Sequence, residues 1–429
     1  MKVNRHANPL IAIACGGTGG HLFPGLAVAG QLQRSGCDVA LLISPKDVDQ
    51  QAVKAALERR APPGRETAGD PGSAGFPGGA PSECEVAALD SGAPFEVYTL
   101  PAVGLQNRNY FGFAGSFVKS LFSARSVFCR RKPRAVLAMG GFTSAPPIFV
   151  AKALGVQTYL HESNTIPGRA NRLLARWVDE ALVGFPEAAA RLKAHKVTVT
   201  GTPVRPQFQA RSAAACRVAL GLDAERPVIL VVGGSQGASG LNSLVLSALP
   251  LLAQKNWQWL HLTGSHDFEK VKSAYAAVGL RAIVKPFLAE MELALAAATA
   301  AVSRAGASSL AELAALRLPA LLVPFPAAAD NHQFFNARCY AQSGAARLLG
   351  QAEATSRQVA AGLVELVEDQ AARVRMDIAL AQWHTPQAAE QIATHLLQRA
   401  LQNGAVPVVA QGAQALTAGP AGPKKLSAV

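Results

Sequence analysis

The side chains with the most evident chemistry lie between Ser303 and Asn336, SRAGASSLAELAALRLPALLVPFPAAADNHQFFN. Arg304 to Ser309 is small and polar, so backbone amides there can approach a ligand closely, and the helix-forming run Leu310 to Leu316 follows. A loop ending at a helix start presents unpaired N–H groups and a positive dipole end, which favour a phosphate. Glu312, on the first turn or so of that helix, can face the same pocket and accept from sugar hydroxyls. Pro319 to Pro324 has the character of a buried parallel strand closed by prolines. Asp330-Asn331-His332-Gln333 then falls at a strand's C-terminal end, where open α/β sheets place ligands. One segment thus offers a diphosphate site and two polar anchors for a sugar.

His21 is the second candidate. It closes Gly16-Gly17-Thr18-Gly19-Gly20-His21, a glycine turn after the short apolar run Leu10 to Cys15 and before a helical Leu26 to Leu32. The loop is neither the dinucleotide fingerprint nor a Walker loop. An imidazole at such a crowded turn suits a general base. His161, Glu162 and Asn164 stand together at another strand end, but H-E-x-N lacks the i, i+4 spacing of a zinc site, so polar recognition of a hydroxylated substrate is expected. Arg205, after Gly201-Thr202-Pro203, is placed to pair with an anion at a domain junction. Phe287-Leu288 occupies a loop able to cap a base.

Two domains must position these groups. The chain has 429 residues, half of them hydrophobic, which exceeds one ordinary domain. Apolar runs alternate with helical patterns, and strand-then-glycine-loop restarts at Pro227 to Val232 with Gly233-Gly234-Ser235-Gln236-Gly237-Ala238. The expectation is an α/β protein of two Rossmann-like doubly wound domains facing a cleft. Their spans are residues 1–203 and 204–385. The stretch Gln382 to Leu401 reads as a last helix, with 386–402 packing back on the first domain. The Pro-, Gly-, Ala- and Ser-rich residues 59–94 read as a disordered insertion and 403–429 as a disordered tail.

Six scattered cysteines without a C-x-x-C pair fit a reducing compartment. The formal charge of +13 suits a polyanionic partner: nucleic acid, anionic lipid or a phosphorylated substrate. Lys2, Arg5 and Leu10 to Cys15 imitate a signal sequence, but that run is short and leads into the glycine loop, so it reads as a core strand. Gly104 to Arg134 carries no acidic residue and interleaves aromatics with arginine and lysine. Phe113, Phe117, Leu121 and Phe128 share one helical stripe, which either packs into the core or lies on an anionic bilayer, with nucleic-acid binding by the segment as a third reading.

Taken in order, these motifs resemble the MurG family of peptidoglycan N-acetylglucosaminyltransferases. The matching stretches are GGTGGH at 16–21 with LFPGLAVA after it, GGFTSAP at 140–146, HESN at 161–164, GTPVR at 201–205, GGSQGA at 233–238 and the segment through DNHQ at 330–333. The resemblance implies a GT-B glycosyltransferase with an inverting mechanism and no metal or other cofactor. The donor would be UDP-N-acetylglucosamine and the acceptor undecaprenyl-linked lipid I, giving lipid II. The implied setting is the anionic cytoplasmic face of the bacterial inner membrane, as a peripheral protein alongside other cell-wall synthesis proteins and without nucleic acid. His21 would be the base, and Thr18, Gly19 and Gly20 would face the phosphates. Asn164 would contact the donor sugar; Arg205 and Ser235 would hold the diphosphate side; Leu288 would read uracil through its backbone. Ala307, Ser308, Ser309, Leu310, Ala311 and Glu312 would meet diphosphate and ribose, with Gln333, and His332 beside it, on the sugar hydroxyls. Phe142, Phe117, Phe122 and Arg125 would form the acceptor and membrane side. Two stretches depart from the family pattern, Ser44-Pro45-Lys46-Asp47 and Gly104-Leu105-Gln106. A UDP-sugar 2-epimerase, a glycolipid glycosyltransferase and a nucleotide-regulated binding protein without turnover are the competing readings.

Overall fold

The computed structural model describes residues 8–17, 19–46, 49–50, 53–54, 85–88, 94–102, 110–234 and 237–402. The first half runs β1 (Leu10–Ala14), α1 (Gly19–Arg34), β2 (Asp38–Ile43), β3 (Glu85–Ala88), β4 (Pro94–Thr99), α2 (Tyr110–Arg130) and β5 (Ala135–Ala138). It continues with α3 (Ala145–Ala153), β6 (Gln157–Glu162), α4 (Arg169–Leu174), β7 (Glu180–Val183), α5 (Pro186–Ala189) and β8 (Val197–Val199). The second half runs α6 (Ala213–Ala219), β9 (Val228–Val232), α7 (Ser239–Leu252), β10 (Gln258–Leu262), α8 (Phe268–Val278), β11 (Ala282–Lys285) and α9 (Met291–Ala297). After it come β12 (Ala300–Ser303), α10 (Ala307–Ala315), β13 (Ala320–Leu322), α11 (His332–Gln342), β14 (Arg347–Leu348), α12 (Ser356–Glu368), α13 (Gln370–Trp383) and α14 (Ala388–Gln402).

Each half is a doubly wound sheet. The first has the order β3-β4-β2-β1-β5-β6-β7-β8 and the second β11-β10-β9-β12-β13-β14. All pairings are parallel except β3 with β4. Helices cover both faces, which is why the central strands are apolar along their whole length instead of alternating. Strand order reverses at β1/β5 in one sheet and at β9/β12 in the other. The crevice beyond the strand ends at such a reversal is where this architecture binds ligands. The four loops that open there are those of the glycine runs at 16–17, 140–141 and 233–234 and of Arg304-Ala305-Gly306.

Two expectations are corrected. The insertion read as disordered over 59–94 includes β3, an edge strand held antiparallel to β4, and β4 itself begins at Pro94. Backbone pairing to an existing strand forms this edge with little side-chain pattern to announce it. The last helix, read as continuous from Gln382, is instead interrupted at residues 384–387. Pro386 lacks an N–H and disfavours helical geometry in the residue before it. Beyond the break α14 crosses to α1, burying Ile392, Ala393 and Leu396 in the core that holds Ile11, Ile13 and Leu41. The tail from 403 lies outside the described residues.

Candidate active site

The glycine run is shaped by what lies beneath it. Gly17 has φ +92°, and its amide donates to buried Asp49 at 2.6 Å while its carbonyl accepts from Lys46 Nζ at 2.8 Å. Ser44 also donates to Asp49. A Cβ at Gly16 would stand 2.7 Å from the Ser44 nitrogen, so the loop lies flat on the turn after β2. α1 starts at Gly19, earlier than the expected Leu26, and His21 is therefore on its first turn. Gly25 permits this start: a Cβ there would meet Cys15 at 2.9 Å, so only glycine lets the helix rest on the strand end.

The His21 ring lies along Gly140 and Gly141, which have φ +106° and +79°. A Cβ at Gly140 would be 2.9 Å from Nδ1. Nδ1 is buried without a hydrogen bond of normal geometry, leaving Nε2 as the nitrogen that can meet a hydroxyl. Burial lowers the imidazole pKa, opposed by Glu162 and the Met139 backbone and reinforced by His332 across the cleft. His21 is thus neutral near pH 7, as a proton acceptor must be.

Opposite stands α10, whose N-cap is Gly306. Ala307, Ser308, Ser309, Leu310 and Ala311 form its first turns, and Ser308 Oγ donates 3.1 Å to the Gly20 carbonyl. The two glycine-loop helices therefore meet end to end across the cleft. Glu312 lies on the second turn of α10, one turn later than expected, 3.7 Å from Arg205. Burial raises its pKa to about 7, against the pull of Arg205 and with a further push from Glu292. The Arg205 guanidinium stacks 4.3 Å from the Phe23 ring and 4.9 Å from Phe208, so it reaches the cleft as a fixed charge. Arg304, buried behind the α10 start, donates to the carbonyls of Val323 at 2.9 Å and Pro324 at 3.1 Å. Gln333 spends its side-chain oxygen on the amides of Ala305 at 3.3 Å and Phe325 at 3.0 Å, which leaves its NH₂ group for a ligand. His332 binds the Ala329 carbonyl through Nδ1. Leu288 is buried in the loop after β11, with Phe287 exposed beside it.

The H-E-x-N group does not recognise substrate as a unit, contrary to expectation. His161 is fully buried on the Gly201 carbonyl and Ser163. Glu162 is buried and accepts from the Asn164 amide and side chain, the Gly168 amide and Asn171. Only Asn164 reaches the cleft, where Asn336 holds its oxygen at 3.0 Å. The acceptor and membrane set is likewise divided. Phe142 lies over Gly17, with Lys46 5.6 Å from its ring centroid, and belongs to the cleft. Phe117 is half-buried against Phe149, whereas Phe122 and Arg125 are exposed on α2. Thr18 and Ser235 lie outside the described residues. Sequence reasoning missed Lys46, Asp49 and Asn336. Lys46 lies within the departure from the family pattern after β2 and Asp49 two residues beyond it, which was the available signal. Among the described residues no three His, Cys, Asp or Glu side chains come together to hold a metal.

Residues 11–60 and 79–183 match the glycosyltransferase family 28 N-terminal domain and residues 228–392 its C-terminal domain. The UDP-N-acetylglucosamine–N-acetylmuramyl-(pentapeptide) pyrophosphoryl-undecaprenol N-acetylglucosamine transferase of Anaeromyxobacter sp. (strain Fw109-5) is 34% identical over 388 residues, 89% of this chain and 91% of that protein. The chain belongs to the MurG family. Its activity is that of an N-acetylglucosaminyltransferase. The Xanthomonas campestris pv. campestris (strain 8004) transferase of the same name is 35% identical over 394 residues, 91% of this chain and 82% of that one. The crystal structure of Acinetobacter baumannii MurG superposes with a TM-score of 0.65 at 26% identity, covering 91% of this chain and 99% of that one. The Neisseria meningitidis UDP-GlcNAc 2-epimerase bound to UDP-GlcNAc has a TM-score of 0.60 over 91% of this chain and all of that one. At 13% identity it shares the fold alone. The GT-B architecture of the MurG family thus accounts for both sheets and for the cleft between them.

Proposed function

We propose that this chain transfers N-acetylglucosamine from UDP-N-acetylglucosamine to the 4-hydroxyl of the N-acetylmuramic acid of undecaprenyl-linked lipid I, forming lipid II. The observation that carries the reading is the facing pair of helix starts, α1 bearing His21 and α10 bearing open amides. The acceptor oxygen attacks the anomeric carbon, its proton passes to His21, and the bond to the UDP oxygen breaks with inversion. The leaving diphosphate's growing charge is met by the α10 amides and Arg205, which are already oriented. Lys46 adds a cation on the acceptor side. With that positive charge in place the step is assigned no metal; loss of turnover in chelator, restored by a divalent ion, overturns this.

Approach to the lipid acceptor is assigned to the exposed face of α2, where Phe111 and Phe122 stand among Lys119, Arg125 and Arg130. No helix among the described residues is long and apolar enough to cross a membrane, so the reading is of a protein resting on the anionic cytoplasmic surface.

The test is incubation with labelled UDP-N-acetylglucosamine and a short-chain lipid I analogue. Acceptor-dependent label in the lipid is expected, and His21→Ala should lower kcat about 10²–10⁴-fold with donor affinity kept. UDP-N-acetylmannosamine formed without acceptor means the epimerase reading. Sugar-nucleotide binding with no turnover means a binding protein.

A further inference from the structure

We infer that Asn336 is a positioning residue for the transfer: its buried amide joins the donor loop to the wall that backs His21, and so sets the register of the closed cleft. Asn336 is fully buried on α11 of the second domain. Its Oδ1 accepts from the Thr165 amide at 2.9 Å and the Thr165 hydroxyl at 2.7 Å. Its Nδ2 donates to Asn164 Oδ1 at 3.0 Å and to the Ala305 carbonyl at 3.2 Å. The four hydrogen-bonding positions of the amide are all used. Three of the four bonds go to two residues of the first domain, Asn164 and Thr165, and the fourth to Ala305, which precedes Gly306, the cap of the helix assigned to the diphosphate. Exchanging the amide's oxygen and nitrogen would set NH₂ against the Thr165 N–H, so the geometry also fixes its orientation.

The contacts continue in both directions. Ala305 is held from two sides, its carbonyl by Asn336 and its amide by Gln333. Asn164 donates to Glu162, whose other oxygen accepts from Asn171. The Asn171 amide nitrogen lies 3.1 Å from where a Gly140 Cβ would be, on the same glycine that supports the His21 ring. A run of buried hydrogen-bonded groups, with the Glu162 carboxylate at its centre, thus connects the start of α10 to the seat of the base. At the rim, Asp330 pairs with Arg169 and Arg172, but these are exposed and such pairs contribute little. The Asn336 amide is uncharged, so burying it costs only polar desolvation, which its four hydrogen bonds offset. A misplacement of about 1 Å at a reacting centre costs on the order of a hundredfold in rate.

This inference rests on the proposed transfer. Asn336→Asp keeps the volume and the acceptors for Thr165 but sets a carboxylate oxygen against the Asn164 and Ala305 oxygens. With UDP-N-acetylglucosamine and the short-chain lipid I analogue, kcat should fall about a hundredfold, while the donor Kd by direct titration stays at the wild-type value. Thr165→Val, altering the partner from the other domain, should show the same split. A donor Kd weakened by the same factor as kcat/KM would make Asn336 a donor contact, and unchanged kcat would dismiss the latch. Hydrogen exchange at the Thr165 amide gives a readout that does not depend on turnover: it should accelerate in Asn336→Ala, and exchange at the wild-type rate overturns the latch. If wild-type protein transfers no sugar, the transfer reading fails and exchange alone decides the latch.

Discussion

A carboxylate held near neutrality reports on whatever binds beside it. Glu312, raised to about 7 by burial, carries a proton in about half the molecules at pH 7. Its folded pKa lies above the ordinary 4.5, so the folded state holds the proton more firmly than the unfolded chain. Stability from this group is complete below pH 4.5 and is lost as pH rises towards 7. Ribose hydroxyls donating to the carboxylate favour its ionised form and lower that pKa. Binding of UDP-N-acetylglucosamine near pH 6.5–7 should therefore release about half a proton, and none above pH 8.5. Isothermal titration in buffers of different ionisation enthalpy measures it. Release that persists in Glu312→Gln would move the titrating group elsewhere and with it the ribose assignment.

α2 puts its aromatic residues to two uses. Phe113, Phe117 and Leu121 are half-buried and Phe128 is in the core, with a run of rings Phe113–Phe117–Phe149–Trp177 at centroid spacings of 6.1, 6.3 and 5.9 Å. Phe111 and Phe122 point outward, 93% and 70% exposed. Burying one such ring in an interface is worth about 1.5–3 kcal/mol, so Phe122→Ser should weaken sedimentation with anionic vesicles about tenfold or more. Phe117→Ser should instead lower thermal stability and leave vesicle binding unchanged. Binding that is indifferent to both Phe111 and Phe122 would remove this helix as the membrane contact. The stripe itself was legible from its 3.6-residue period, but which side faced inward depended on Phe149 and Trp177, remote in sequence. The strands and glycine loops were legible for a stronger reason, since fully buried parallel strands are continuous apolar runs. The start of α1 at Gly19 was hidden because glycines argue against helix, and the compensating contact of Gly25 with Cys15 is tertiary. Asn336 was hidden for the same cause: its partner Thr165 is 171 residues away.

At the scale of the whole molecule, the chain passes between domains twice, after β8 and between α13 and α14, and the two passages touch. Gly201 has φ +78°, and a Cβ there would lie 2.1 Å from Thr385 Oγ1 and 2.6 Å from its Cβ. His161 holds the Gly201 carbonyl at 3.0 Å. Alongside, Trp383 stacks on Tyr340 at 4.4 Å and meets Phe185 at 5.4 Å, while its indole N–H donates to Ser343 at 2.7 Å. The junction is therefore packed, and any closure must turn about this crossing. Gly201→Ala carries two separable penalties, about 1–2 kcal/mol for a left-handed backbone and the collision with Thr385. Thr385→Gly removes the three closest contacts that the new methyl would meet and none of the backbone cost. The pair should accordingly be non-additive: the thermal midpoint falls in Gly201→Ala and recovers in part when Thr385→Gly is added. A double variant that loses the sum of both single effects would mean that the crossings move independently, and a closure pivot would have to be sought in the aromatic cluster instead.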